Sequence, residues 1–417
     1  MNTATADLAL RGGTPAVAAT EAKISWPIVT ASEREAVLRV LDRKILWAQT
    51  RPEGLYAPEQ TALEEGFAQF VGAKHALAVN GGTAGLHMAL AASGVEPGDE
   101  VITSAFSFLA TPAAILHAGA VPVFVDIDPR TFNLDPAQIE AKITPRTRAL
   151  MVVDLHGLCA DFDPILAIAK KHQLIVTEDA CQAPGATYKG RGAGTFGLAS
   201  GFSVNGTKNF AVGEGGFMVT NDDEVRYKGN WLKQVGEVLP ASDRTMEFQH
   251  LLAWNYRVQE LPCAFGLAQL ARLGQVNATG QRNAAILGSY LQDLPGVRAP
   301  YIPEGYISVY HKYRVTLVAE ELNTALRGAA LRDAFMRALA AEGVDVDTWG
   351  SAPLCAHPMI AARNPKDRAE AYPATVAMFA TSFCVTNDEF PIYAQPEGLM
   401  HAYGRALRKV AQNAAAL

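Results

Sequence analysis

Several features that would narrow the class of this chain are missing. No window approaches about 18 consecutive apolar residues, so no bilayer-spanning helix is expected. The opening "MNTATADLALRGGTPAV" has no basic end running into an apolar core, and is not read as a secretory signal. Cysteine is scarce. The five (Cys159, Cys181, Cys263, Cys355, Cys384) are an odd, scattered set without a C-x-x-C pair. That argues against a disulfide framework or a zinc site, so no metal is expected, and it suits a reducing, cytoplasmic setting with cysteine acting as a small hydrophobe. Positive charge does not dominate either: the formal net charge is −6 and the pI about 5.9. Nucleic acid and anionic membrane are therefore not expected as main partners. Internal repeats, low-complexity tracts and the P-loop pattern G-x-x-x-x-G-K-[ST] are absent as well.

What is present is an ordinary globular composition, 49% hydrophobic and 19% charged over 417 residues. A chain of this length buries roughly three quarters of its unfolded surface and can divide into two domains. From residue 60 to about 220, apolar runs alternate with helical patterns: "HALAVN" then "TAGLHMALAASG", closed by Gly94; "DEVITS", "FLATPAAILHAGA", "VPVFVD"; "RALMVVDL", "FDPILAIAKKH", "QLIVTEDA". Near-continuous apolar strands between helices predict an α/β fold around a mostly parallel sheet covered on both faces. Residues 223–295 read as mostly helical, and "LPGVRAPYIPEGY" (294–306) as a boundary rich in proline and glycine. Beyond it come a strand in "YHKYRVTLV", a helix stopped by Gly343, "VDVDTW" and a terminal helix with basic residues toward its C-terminal half. The expected division is an N-terminal segment (1–55), a large α/β domain (56–295) and a smaller α+β domain (296–417).

Three signals carry chemistry. "VNGGTAG" (79–85) sets glycines and Thr83 between a strand and a helix start, where exposed amides attract an anion; a plain glycine turn capped by Thr83 is the alternative. Asp179 stands just past a buried strand, at the carboxyl edge where open α/β sheets bind ligands, although it could simply cap a helix. Lys208 follows 29 residues later in the small-residue loop of "GFSVNGTKNFAVGEGG", where a solvated helix-face lysine would not be expected. A desolvated amine is a nucleophile suited to Schiff-base chemistry. Pyridoxal phosphate needs such a lysine, a carboxylate at its ring nitrogen and a phosphate cradle, and so accounts for all three. The single G-x-G-x-x-G (Gly192, Gly194, Gly197) follows "GATYKGR", read as no strand, and precedes "LASGFSV", read as no helix. The dinucleotide fingerprint requires the opposite context, so an NAD oxidoreductase is a rival resting on a decoy.

With "VNGGTAGLHMAL", "PGDEVITSAFSFLATPAAILHAGAVPVFVDIDPRTFNLDP", "EDACQAPGA", "FSVNGTKNFAVGEGGFMVTND" and "NYRVQELPCAFGLAQL" in this order, the chain resembles the DegT/DnrJ/EryC1/StrS family over nearly its whole length. That family comprises fold-type I pyridoxal-phosphate aminotransferases acting on keto-sugars and keto-cyclitols. The resemblance implies that Lys208 holds the cofactor and later shuttles a proton, and that Asp179 pairs with the ring nitrogen. Gln182 would face the ring-oxygen side and Phe108 would stack on the ring. Gly82, Thr83 and Ser203 would hold the phosphate, joined by Asn255 from a neighbouring subunit, which implies a homodimer with shared active sites. The implied reaction is ping-pong, from glutamine or glutamate to a keto-cyclitol such as scyllo-inosose, with nucleotide-sugar acceptors the alternative. Dehydration or C–C cleavage on the same fold and a non-catalytic relative are further rivals; Lys208, where the family's dehydratases carry histidine, favours transamination.

Four positions depart from the family pattern. Gly81 stands where serine is frequent, and Asn205 where histidine or glutamine is usual. "DLHG" puts Asp154 and His156 near the expected sugar pocket, and His156, like His311 of "YHKYRV", is a candidate substrate contact.

Overall fold

The computed structural model describes residues 7–51, 54–236 and 252–417. Its centre is a seven-stranded sheet built from β1 (His75–Val79), β2 (Glu100–Ser104), β3 (Val121–Val125), β4 (Thr147–Val153), β5 (Ile175–Asp179), β6 (Ala199–Ser203) and β7 (Gly216–Thr220). The spatial order is β1-β7-β6-β5-β4-β2-β3. All neighbours are parallel except those of β7, which runs antiparallel to both β6 and β1. Buried runs such as "ALMVV" in β4 need cover on both faces. One face packs against α2 (Pro58–Val71) and α5 (Phe162–His172), around Leu63, Phe67, Ile165 and Phe217. The other receives α3 (Gly82–Ala92), α4 (Ala110–His117) and α6 (Asp223–Lys233). Helix α3 is apolar nearly all round because it is sandwiched; its residues 84–90 are buried without exception.

A second, antiparallel sheet of order β8-β9-β11-β10 comprises β8 (Val297–Arg298), β9 (Tyr313–Leu317), β10 (Val346–Asp347) and β11 (Ser382–Val385). Helices α9 (Gly328–Ala341), α10 (Pro373–Thr381) and α11 (Glu397–Gln412) accompany it. In α11, Leu399, Met400, Tyr403, Ala406, Leu407 and Val410 recur at helical spacing on one buried stripe. That stripe packs on α8 (Leu273–Leu291). The same core takes in Leu8, Val17 and Trp26 from the N-terminal segment.

Only part of 223–295 is helical: α6, α7 (Glu260–Leu270) and α8 are, while 252–259 is not, and 237–251 lies outside the described residues. The backbone of 254–256 instead bonds to that of 232–235, for example from Trp254 N to the Leu232 carbonyl at 2.8 Å. Before them, α1 (Ala31–Arg43) begins with a capping box between Thr30 and Glu33. Among the described residues no helix is long and apolar enough to cross a membrane.

Candidate active site at the carboxyl edge of the sheet

Parallel strands deliver their carboxyl ends to one edge, and the candidate residues collect there. An inner cavity of about 350 Å³ is lined by Gly82, Thr83, Phe108, Asp179, Gln182, Ser203 and Lys208, seven of the eight residues expected from sequence. Gly81, Asn205 and His311 also line it.

Strand β1 ends at Val79 and α3 starts at Gly82, with no side chain among the described residues capping the helix N-terminus. Its first amides are thus free, at the positive end of the helix dipole. Ser203, at the end of β6, abuts this turn: a Cβ on Gly82 would lie 2.7 Å from the Ser203 Cβ. The Ser203 hydroxyl accepts from Asn205 N at 3.3 Å, which leaves its proton to donate elsewhere. Among the described residues nothing lies within 4 Å of where a Gly81 side chain would start, so the missing serine is not a steric requirement there.

The chain then bends at Asn205, whose Oδ1 accepts from both Thr207 N and Thr207 Oγ1 at 3.0 Å. Its Nδ2 donates to Glu214 at 2.8 Å. Asn205 therefore braces the lysine loop, which gives this departure from the family pattern a structural job. The half-buried Lys208 amine has no hydrogen bond or ion pair among the described residues, while its carbonyl accepts from Trp26 Nε1 at 2.9 Å. Desolvation lowers its pKa; Cys181, Asp179 and Asp388 oppose this, and the Lys312 cation adds to it.

Asp179 is buried where β5 ends. Thr111 Oγ1 donates to it at 2.6 Å and Cys181 N at 3.2 Å, and Thr111 is in turn held by Ser107 at 2.7 Å. Phe108 stands 60% exposed at the mouth, a large apolar face open to the cavity. Sequence reasoning did not single out Thr111, nor the cavity-lining Cys181, Thr207, Glu214, Trp349 and Asp388. For Thr111 a signal existed: one polar residue in the apolar opening of a helix. Cys181, read as a plain hydrophobe, keeps its thiol protonated, because burial and Asp179 push its pKa up.

Two expectations are corrected: the place of His156 and Asp154, and the reading of "GATYKGR" as no strand. His156 and Asp154 lie behind the cavity wall, not on it. The His156 amide donates to Gln182 Oε1 at 2.8 Å, and Asp154 is fully buried, accepting from Ala160 N at 3.0 Å. Asn255, expected to act from a neighbouring subunit, does not line the cavity of this chain; it is exposed, with its carbonyl 3.4 Å from Asn80 Nδ2. Short strands do form in "GATYKGR" (Thr187–Tyr188 and Arg191–Gly192), contrary to the sequence reading. The glycine pattern beside them serves an internal carboxylate: Gly194 N and Gly197 N donate to buried Glu178 at 2.7 and 2.6 Å. Cβ atoms on Gly192 and Gly197 would meet backbone carbonyl oxygens at 2.5 Å, so these glycines answer to packing.

A second cavity of about 560 Å³ adjoins the first and shares Phe108, Trp349 and Asp388 with it. Its remaining wall is largely apolar, with Phe106, Leu109, Pro353 and Phe379, beside His357 and Ser107.

Against known proteins, the model of the DegT/DnrJ/EryC1/StrS aminotransferase family matches residues 35–387. GDP-perosamine synthase from Caulobacter vibrioides is 39% identical over 326 residues, 77% of this chain and 82% of that one. L-glutamine:2-deoxy-scyllo-inosose aminotransferase from Streptomyces lividus is 36% identical over 285 residues, 67% of this chain and 66% of that one. Among solved structures, DesI in the presence of its TDP-sugar product superposes with a TM-score of 0.81 at 30% identity, covering 97% of this chain and 96% of that one. The chain belongs to the DegT/DnrJ/EryC1/StrS aminotransferase family.

Proposed function

We propose that this family member moves an amino group from glutamine or glutamate to a keto-cyclitol, with a nucleotide-linked keto-sugar as the second reading. The family is one of pyridoxal-phosphate-dependent aminotransferases with the fold-type I architecture. The inosose aminotransferase among the relatives supports the first acceptor class; GDP-perosamine synthase and the DesI structure support the second. The observation that carries the cofactor assignment to particular residues is the Lys208 amine, without a partner among the described residues, in one cavity with buried Asp179 and the N-terminus of α3.

The residues fit the group. Amides of Gly82 and Thr83 and the Ser203 hydroxyl would hold the phosphate, with Phe108 against the ring. Asp179, whose oxygens accept from Thr111 Oγ1 and Cys181 N, would face the ring nitrogen, and Gln182 the ring oxygen. When bound, pyridoxal phosphate serves as the electron sink for the bond broken at the substrate carbon and carries the amino group between half-reactions. Lys208 Nζ takes and returns the proton, which requires it neutral; burial and Lys312 favour that state. The exposure of Asn255 supports a homodimer in which it reaches the neighbouring site. The five free cysteines support a reducing, cytoplasmic setting.

The test is an absorbance spectrum of purified protein before and after glutamine or glutamate, followed by acceptor assays. The expected result is a visible band of lysine-bound cofactor that bleaches with donor, and no borohydride-fixed cofactor in Lys208→Ala. Protein that stays colourless with added cofactor would sink the assignment. Turnover of a nucleotide-linked keto-sugar but not of scyllo-inosose would select the second acceptor class.

A further inference from the structure

Arg314, on β9, is 2% exposed, and all its hydrogen-bond partners among the described residues are neutral. A buried guanidinium is tolerated only where its N–H groups are engaged. Here Nε donates to His156 Nε2 at 3.1 Å and one terminal nitrogen to Ser382 Oγ at 3.0 Å. The other terminal nitrogen grips two carbonyls, those of Thr348 at 2.7 Å and Trp349 at 2.9 Å. The cation also lies 5.4 Å from the centre of the Phe106 ring.

Arginine can only donate, so His156 Nε2 must accept, which leaves the ring proton on Nδ1 and the imidazole neutral. Burial first, then the charges of Arg314, Lys312 and Lys208, hold this histidine well below its ordinary pKa, with Gln182 opposing. The His156 backbone occupies the left-handed region at φ 55°, a conformation that non-glycine residues adopt only when held. Its amide fixes Gln182 Oε1 at 2.8 Å, so the carboxamide NH2 of Gln182 is the end left for the cavity. Trp349 packs edge-on to the His156 ring at 4.7 Å, itself at φ 38°, and stands on the wall shared by the two cavities.

We propose that Arg314 is the positioning residue of this site: it fixes His156 as the Nδ1–H tautomer, His156 turns the Gln182 NH2 into the inner cavity, and the same guanidinium seats Trp349 between the cavities. Neither Arg314 nor His156 lines the inner cavity, so both act through the residues that do. The consequence for the reaction rests on the pyridoxal-phosphate reading above; the geometry does not.

The first test is the ¹⁵N spectrum of histidine-labelled, cofactor-free protein, with His156→Gln used to assign the signal. His156 is expected as the neutral Nδ1–H form, unchanged from mildly acidic to mildly alkaline buffer. An Nε2–H or protonated His156 in the native chain overturns the proposal. The second test is Arg314→Lys, which keeps the charge and loses the fork. It should mix the His156 tautomers, shift tryptophan emission in the cofactor-free state, move the visible band of the loaded enzyme and slow the donor half-reaction roughly tenfold. A folded Arg314→Lys protein with native tautomer, emission and band also overturns it. Failure of the native protein to take up cofactor would instead strike the function reading and leave the tautomer result standing.

Discussion

Trp26 donates its indole N–H to the carbonyl of Lys208 at 2.9 Å, across 182 residues of sequence. Tyr393, edge-on to Trp26 at 5.1 Å, donates to the neighbouring Thr207 carbonyl at 2.8 Å. The lysine loop is thus held from outside by the N-terminal segment and by a residue just before α11. Trp26→Phe keeps most of the packing and removes the donor. Unfolding free energy should fall by about 1–2 kcal/mol, and cofactor should leave faster. Urea melts and the decay of the visible band on dilution would read both; an unchanged decay would show that this contact does not steady the loop.

That contact marks how far the sequence could be read. The strand-helix alternation, the carboxyl-edge position of Asp179 and the glycine turn before α3 rest on local patterns, and local patterns are legible. Nothing local in "AKISWPIV" says that its tryptophan reaches a loop 182 residues away. His156 and Asp154 were misplaced for a related reason. Polar residues next to a site motif read as site residues, yet the turn at His156 faces its side chain back into β9. The glycine pattern at 192–197 could be dismissed as a nucleotide site, but its bond to Glu178 depended on strand neighbours that sequence does not give.

Thr111 offers a sharper test of the Asp179 assignment. Its hydroxyl donates to the buried carboxylate at 2.6 Å, a bond to a charged group worth about 1.5–3 kcal/mol. Thr111→Val keeps the shape and removes the donor. The donor half-reaction should slow about tenfold, and Asp179→Asn should cost on the order of a hundredfold or more. Single-turnover bleaching would measure both; a valine variant as fast as native would mean that Cys181 N alone orients the carboxylate.

Asp154 predicts a pH dependence of stability. Burial, then Glu178 and Asp179, raise its pKa well above the ordinary value, and its Oδ2 has no partner among the described residues. A carboxyl whose folded pKa is raised binds its proton more tightly in the folded chain. Its contribution is whole below the unfolded pKa and is lost as pH rises toward the folded one, by at most about 1.4 kcal/mol per pH unit. Asparagine mimics the protonated form. Asp154→Asn should therefore match native stability in acid and gain on it steadily as pH rises, in urea melts at matched ionic strength. Parallel curves would show that folding leaves the proton affinity of Asp154 unchanged.

The pair of Lys312 and Asp388 is asymmetric: the lysine side chain is 3% exposed, the aspartate 50%. Removing either partner should therefore have different costs. Asp388→Asn leaves a buried cation without its counter-charge and should cost about 1–3 kcal/mol of stability, reduced from a fully buried pair by the aspartate's exposure. Lys312→Met leaves a carboxylate that water can solvate, and should cost less. The two should also move Lys208 in opposite directions, since Lys312 lowers its pKa and Asp388 raises it. The Lys312 variant should take up cofactor with its pH profile displaced to higher pH, the Asp388 variant to lower pH. Capture is the right readout because the neutral amine is the form that attacks the carbonyl. Profiles displaced the same way would mean that these charges reach Lys208 through a change of shape and not through their fields.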